Sequence, residues 1–352
     1  MLRVTTVILA FVSLTASPLA GWHIETVDST GDVGYHTSIA LDASDNPHIS
    51  YFGSTDGELK HAYYDGSSWR LESVDTTGGL GIDPSLGMAL DSSDNPHISY
   101  WDCSADDLKY AYFDGSSWLI ESVDTTGEVG YGASIALDSL DNPHISYYDF
   151  SNMDLKYAYN DESSWRIENV ASKGDMGWFA SIAVDTSDNP HIPYTDDSNR
   201  NLRYAYYDGA SWQFKRVDTD GVVGWFTSIA LDTSDNPHIS YLDYTNKVLK
   251  YAHYDGSSWQ VEVVDDTTNW MGWHTSIALD TSDNPHISYC DWRNMDLKYA
   301  YYDGSSWRLE SVDTAGDVGH FTSIALDSSG NPHISYYDDT NGDLKYARYG
   351  PE

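Results

Sequence analysis

Seven histidines stand in one recurring setting. The tripeptide Asn-Pro-His places them at His48, His97, His144, His191, His238, His286 and His333, with successive spacings of 49, 47, 47, 47, 48 and 47 residues. Histidine is the commonest metal ligand, but a metal needs several ligands within about 2 Å of one ion. One histidine per repeat keeps them too far apart for that. The shared local frame points instead to a structural hydrogen bond inside a repeated turn. The aspartates offer more. Asp232-Thr-Ser-Asp235-Asn236 brings two carboxylates and an amide together, a hard oxygen set that suits Ca²⁺. The same residues also make Asx-type turns, in which Asp and Asn bond the local backbone, and no EF-hand loop is present. No cofactor is assigned; Ca²⁺ is the one left open.

A second aspartate, Asp149, ends one predicted strand and Lys156 begins the next. A basic residue recurs there at Lys60, Lys109, Lys156, Arg203, Lys250, Lys298 and Lys345. Opposite charges across a hairpin stabilise by about 0.2–1 kcal/mol, and surface ion pairs are common and weak. A solvated cross-strand pair is therefore expected rather than a catalytic one. Nearly every Asp, His, Ser and Lys belongs to the repeat, whereas a catalytic cluster breaks the symmetry. Ser-His-Asp combinations cannot be singled out by spacing in such a chain. Of nine arginines, Arg70, Arg166 and Arg308 simply follow a tryptophan, so no set of arginines converging on a carboxylate is visible. No catalytic residue is expected.

The repeat defines the elements that carry these groups. A unit runs Thr227-Ser-Ile-Ala-Leu-Asp, a turn, Pro237-His-Ile-Ser-Tyr-Leu-Asp, a loop, Leu249-Lys-Tyr-Ala-His-Tyr-Asp, Gly-Ser-Ser, then Trp259-Gln-Val-Glu-Val-Val-Asp. These short segments, several rich in Ile, Val, Tyr and Trp, are separated by Asp, Asn, Gly, Ser and Pro, which is strand-and-turn punctuation. A period of 40 to 50 residues built from short strands signals a propeller blade. The fourth segment begins at Trp69, Trp118, Trp165, Trp212, Trp259 and Trp307, while the last repeat stops at Tyr346-Ala-Arg-Tyr-Gly-Pro-Glu without one. The missing piece is Gly21-Trp22-His-Ile-Glu-Thr-Val-Asp28, which matches Ser306-Trp307-Arg-Leu-Glu-Ser-Val-Asp313. The expected fold is all-β: one seven-bladed β-propeller over residues 21–352. Its blades are four-stranded and antiparallel, and the N-terminal strand closes the ring in a 1+3 clasp that removes an exposed edge.

Leu326-Asp-Ser-Ser-Gly-Asn-Pro-His-Ile-Ser-Tyr336 resembles the repeat unit of secreted prokaryotic β-propellers, and its Asp-x-x-Gly-Asn turn is similar to that of lectin-type propellers. The resemblance covers nearly all of residues 21–352 and implies a fold and an extracellular setting, but no activity. Six of the seven turns carry Asp where this unit has Gly330.

In such a meander the first-to-second and third-to-fourth turns lie on one face, and the crossovers between blades on the other. Each crossover ends near the axis, and its last residues vary where the rest does not: Tyr35-His36, Tyr131-Gly132, Trp178-Phe179, Trp225-Phe226, Trp273-His274 and His320-Phe321. Blade two departs altogether, with Ile82-Asp83-Pro84-Ser85 and extra length. A ring of aromatic residues and histidines beside acidic loops suits stacking on sugar faces, with carboxylates accepting hydroxyl hydrogen bonds. The competing reading is that these side chains wedge between neighbouring blades, since aromatics are core formers first.

Composition narrows the partners. With 18 Lys plus Arg against 55 Asp plus Glu, the formal charge is -37, which excludes nucleic acid as a partner and disfavours anionic membranes. Residues 1–20, with Arg3, an apolar run from Val4 to Leu14 and a small-residue finish at Ala20, read as a secretory signal peptide. No other segment is fit to cross a bilayer. The expectation is a secreted or cell-surface monomer that binds a glycan in lectin-like fashion, with several similar sites around the ring and hence avidity. A structural or adhesive scaffold that binds surface protein is the alternative, and a glycosidase or polysaccharide lyase a further one. Cys103 and Cys290 fall in blades two and six, too far apart for the roughly 7 Å that a disulfide allows.

Overall fold

The computed structural model describes residues 21–77, 85–161, 163–267 and 270–351, so the proposed signal peptide and Ile82 to Pro84 lie outside the described residues. Seven antiparallel sheets follow one another around a ring. Blade five is representative, with Val223–Leu231 innermost, then Pro237–Asp243, Val248–Tyr254 and, outermost, Trp259–Asp265. The last blade takes Val318–Leu326, Pro332–Asp338 and Asp343–Gly350 from the C-terminal end and Gly21–Asp28 from the N-terminal end. Register there runs from Gly21 opposite Gly350 to Asp28 opposite Leu344. The 1+3 clasp is the observed closure. Cys103 and Cys290 are not joined in a disulfide.

Burial peaks at the second strand: Pro285–Asp291 is buried along its whole length, whereas the innermost Met271–Leu279 and the outermost Trp307–Asp313 are only partly buried. Each hydrophobic cluster spans two blades. Leu108, Tyr110 and Val123 of blade two, for example, pack with Val129, Ile135, Ile145 and Tyr147 of blade three. Burial of each such side chain contributes about 1.5–3 kcal/mol, so the core lies in the junctions and not inside single blades. The approach is close: a Cβ on Gly319, at φ +85°, would stand 2.7 Å from Leu297 Cα. Only glycine admits both that backbone and that distance.

Polar latches join the same junctions at three radii. On the outside, an indole Nε1–H donates to a glutamate of the preceding blade, as from Trp165 to Glu121 at 2.8 Å. The clasp strand makes two of these, Trp22 to Glu310 at 2.9 Å and Trp69 to Glu25 at 3.1 Å. Lys215 stands where Trp259 would need its acceptor. Further in, at six of the seven junctions, the aspartate that ends the outer strand accepts a tyrosine hydroxyl from the next blade, as Asp28 does from Tyr51 at 2.8 Å. On the turn face, the second aspartate of each Asp-x-x-Asp-Asn turn adopts φ of 62–66°. Its carboxylate takes a backbone N–H from the preceding turn, as Asp45 does from Ser328 at 2.8 Å. That bond explains the six aspartates standing where Gly330 does in blade seven.

The Asp–Lys pairs correct the expectation of solvated charges. Lys250 is 8% exposed and Asp243 fully buried; the ammonium lies 2.9 Å from both Asp243 and Asp218, and Tyr241 donates to Asp218 at 2.7 Å. Burial would lower the Lys250 pKa, but hydrogen bonds to Asp243 and Asp218 outweigh it and hold the ammonium above its ordinary value. In blades two, three, five and seven these are buried junction clusters, and removing one partner strands a charge at a cost of about 3–5 kcal/mol; in blade one Lys60 pairs with the exposed Asp56, and in blade six Lys298 donates to Ser311.

Deleting Gly21 to Asp28 removes the outer strand of blade seven, two indole latches and the Asp28–Tyr51 bond. The truncated protein is expected to aggregate or unfold; an unchanged melting temperature would show that the clasp is dispensable.

Candidate functional site

The seven repeated histidines are structural. In six blades Nδ1 meets a third-strand tyrosine hydroxyl, as in His333 with Tyr346 at 2.6 Å, and in blade one His48 meets His61 at 3.2 Å. In six blades Nε2 faces the first aspartate of its own turn at 3.3 to 3.8 Å. In blade four the approach of His191 to Asp185 at 3.3 Å is a hydrogen bond, and since a carboxylate can only accept, Nε2 carries the proton there and Nδ1 accepts from Tyr204. Burial holds the pKa of all seven below the ordinary value, His48 down to about 4. The turn carboxylates are engaged by donors: Asp42 accepts from the Ser44 and Asn46 backbones and from the Asn46 amide at 2.8 to 2.9 Å. Among the described residues no group of three His, Cys, Asp or Glu side chains is arranged to hold a metal ion.

The crossover residues converge at one mouth of the central channel, where their strands are bulged. Register shifts on both sides of Tyr35 and again of Trp225. The bulge puts the second residue of each pair in the left-handed region: His36 at φ 51°, Phe179 at 53°, Phe226 at 55°, His274 at 49° and Phe321 at 51°. Gly132, at φ 66°, does the same in blade three without a side chain. Bulky residues in that region cost of order 1–3 kcal/mol each. The repeated strain aims five rings toward the axis, where they form a continuous arc. Phe179–Phe226, Phe226–His274, His274–Phe321 and Phe321–His36 have centroids 4.6, 4.8, 4.4 and 4.1 Å apart. The arc breaks at blades two and three, where Gly132 N–H donates to Ser85 Oγ.

A second tier, Tyr35, Tyr131, Trp178, Trp225, Trp273 and His320, stands outside the arc. Each is backed by a further ring: Tyr337 lies 4.3 Å from Tyr35, Tyr148 4.7 Å from Trp178, Tyr244 4.5 Å from Trp225 and Trp292 4.7 Å from Trp273. Trp101 backs Tyr131 at 5.3 Å, and Trp292 meets His320 at 5.1 Å. Sequence reasoning missed this backing set. Tyr337, Tyr148 and Trp101 occupy the sixth position of the second strand, which varies through Phe52, Trp101, Tyr148, Thr195, Leu242, Cys290 and Tyr337, while Tyr244 and Trp292 follow that strand's final aspartate.

Together the tiers line a cup of about 680 Å³, within the range of small-molecule sites. Ten of the eleven predicted residues border it; Trp178 stands one step back, against Tyr131 at 5.2 Å. The indoles of Trp178, Trp225 and Trp273 are half-buried, so wedging between blades and lining a cavity are both true of them. The expectation of several separate sites is corrected: rings of neighbouring blades touch and make one lining.

Carboxylates supply polarity at the rim. Asp317 meets His320 Nε2 at 2.6 Å, Asp32 accepts from Tyr337 at 2.7 Å, and Asp175 accepts from Trp178 at 2.8 Å and Tyr148 at 2.9 Å. Burial, reinforced by the His320 and His36 charges, holds the His274 imidazole neutral, far below its ordinary pKa. The Trp225 and Trp273 indole N–H groups and His274 Nδ1 are buried without a hydrogen-bond partner among the described residues. Such donors are uncommon in native interiors.

Below the arc, inner-strand hydroxyls stitch the channel wall. Thr275 meets Ser240 and Thr322 meets Ser288, both at 3.0 Å, and Thr37 meets Ser335 at 2.7 Å. Where the threonine is replaced by Leu86, Ala133 or Ala180, the hydroxyls of Ser50, Ser99 and Ser146 are left buried and unpartnered. Blade four departs further. Pro193 has no N–H to donate, and the inner strand splits into Met176–Trp178 and Ala183–Val184.

Two outcomes are expected. Ala133→Thr gives Ser99 a partner and stabilises by about 1 kcal/mol; a melting temperature equal to the parent's would count against it. The depressed histidines make the unfolded chain bind more protons below about pH 6.5. Stability is then fully present above that pH and falls as pH drops toward 4, which calorimetry between pH 8 and 4 can follow. A flat profile from pH 7 to 5 would contradict the assignment of neutral histidines.

No protein-family model matches the sequence, and no curated protein does. Solved structures share the fold. Virginiamycin B lyase from Staphylococcus aureus superposes with a TM-score of 0.63 at 10% identity, over 93% of this chain and 99% of that one. A polysaccharide lyase of the ulvan lyase type gives 0.60 at 13%, over 91% and 93%. The Aleuria aurantia lectin gives 0.52 at 14%, over 80% and 96%. At these identities the likeness is one of fold.

Proposed function

We propose that the protein is a secreted, monomeric, non-enzymatic carbohydrate-binding protein, lectin-like, that takes a neutral sugar into the axial aromatic cup. The carrying observation is the lining of stacked rings about the axis, bordered by the carboxylates of Asp317 and Asp339. A pyranose suits this lining: it offers C–H faces for the rings and hydroxyls for Asp317 and Asp339, which border the cup. The net charge disfavours an anionic ligand there. Propellers of this fold include the Aleuria aurantia lectin and SapL1, solved with fucosides, which supports the reading. One shared cup implies one ligand per ring.

The test is a glycan array followed by titration on tryptophan fluorescence. Trp225→Ala and Trp273→Ala are expected to weaken binding at least tenfold, about 1.4 kcal/mol. Trp225→Phe, which keeps the ring and loses the donor, falls between. An array without a retained glycan, or alanine variants that bind like the parent, would sink the proposal. Cleavage of a retained polysaccharide would replace it with the lyase or glycosidase reading.

A further inference from the structure

The junction between blades three and four lacks a group that the other six possess. Asp28, Asp75, Asp124, Asp218, Asp265 and Asp313 each accept the hydroxyl of a second-strand tyrosine in the following blade, at 2.6 to 2.8 Å. Here the equivalent residue is Ala171. The tyrosine remains: Tyr194 is 2% exposed and its hydroxyl has no partner among the described residues. The cation remains as well, now Arg203, directly opposite Tyr194 in register. Where Lys250 binds two carboxylates, Arg203 Nε binds Asp196 at 3.1 Å and has no second one.

The space is open. A cavity of about 250 Å³ is bounded by Ala171, Lys173, Met176, Tyr194, Arg203 and Phe214. Two cations border it, Lys173 and Arg203, and Arg216 lies directly across the strand from Arg203, where blades one, two and six have serine. Like charges directly opposite each other destabilise a sheet, and in a chain of net charge -37 such a cluster needs a reason.

We propose that this cavity binds the carboxylate of a small organic acid, held by the Arg203 guanidinium and the Tyr194 hydroxyl where an aspartate stands at the other junctions. A planar carboxylate suits the guanidinium fork. The volume, roughly eight waters' worth at about 30 Å³ each, exceeds one carboxylate. Val170, Met176 and Phe214 form apolar walls for the rest of the ligand, which favours a short aliphatic acid over inorganic anions. The site shares no lining residue with the axial cup.

The experiment measures the melting temperature of the folded protein at pH 7 and constant ionic strength in sodium chloride, sulfate, acetate and butyrate. Acetate and butyrate are expected to raise it saturably by a few degrees over chloride, with butyrate acting at lower concentration. Ala171→Asp supplies the missing carboxylate: it is expected to melt higher than the parent in chloride and to ignore both acids. Arg203→Gln and Ala171→Leu, which remove the cation and fill the space, are expected to lose the response even if Ala171→Asp folds poorly. Equal melting temperatures in all four salts would overturn the proposal. So would a sulfate response matching that of acetate, or an acetate response that survives in the folded variants.

Discussion

The tyrosines and serines buried in the second strands depend on the neighbouring blades for their hydrogen-bond partners. The second strand is buried on both faces, yet it carries His, Ser, Tyr and Asp at each repeat. Histidine finds its partners within its own blade, but tyrosine and serine turn to the junctions: tyrosine to the preceding blade's aspartate, serine to the next blade's threonine. A buried polar group left alone costs about 1–3 kcal/mol. No blade can therefore stand alone, and an open array would strand a complete set of such groups at each end. Closure by Gly21–Asp28 follows from that constraint as much as from the need to cover a strand edge.

The same constraint explains where the repeat can be relaxed. Junction residues answer to a partner, so a change on one side leaves a trace on the other. Leu86, Ala133 and Ala180 orphan three serine hydroxyls, Lys215 deprives Trp259 of its acceptor, and Ala171 leaves Tyr194 without a carboxylate and Arg203 with Asp196 alone. The crossover ends answer to no junction latch. Lying at the axis, they can vary without stranding a partner, and the strained backbone that follows each bulge points them at one another. The aromatic cup therefore occupies the part of the structure with the least structural obligation.

Most of the architecture was legible in the chain. Strand segments, blade number, the faces on which loops fall and the clasp all follow from local signals: alternating Ile, Val and Tyr, turn residues at a fixed period, and one displaced copy of the Trp strand. The histidines were legible as structural because a sevenfold repeat excludes a shared metal on geometry alone. The aromatic pairs stood out as the variable tail of each crossover, and they do converge at the axis. The backing rings Tyr337, Trp101, Tyr244 and Trp292 did not stand out, because their role depends on a neighbouring strand or loop far away in sequence.

The repeat period and turn chemistry are properties of short stretches, so the residues themselves settled the fold and its closure. Whether a given side chain is solvated or buried is a property of pairs of blades. Lys250 and Asp243 looked like a surface pair within one hairpin, and became a buried cluster once Asp218 of the adjacent blade closed over them. Trp225 and Phe226 could have been wedges or a binding surface. The left-handed backbone at Phe226 and the contact between rings of successive blades decided that they line one cup instead of separate sites. Those distances exist only after the ring has closed, because closure brings residues nearly fifty positions apart within a ring's width of each other.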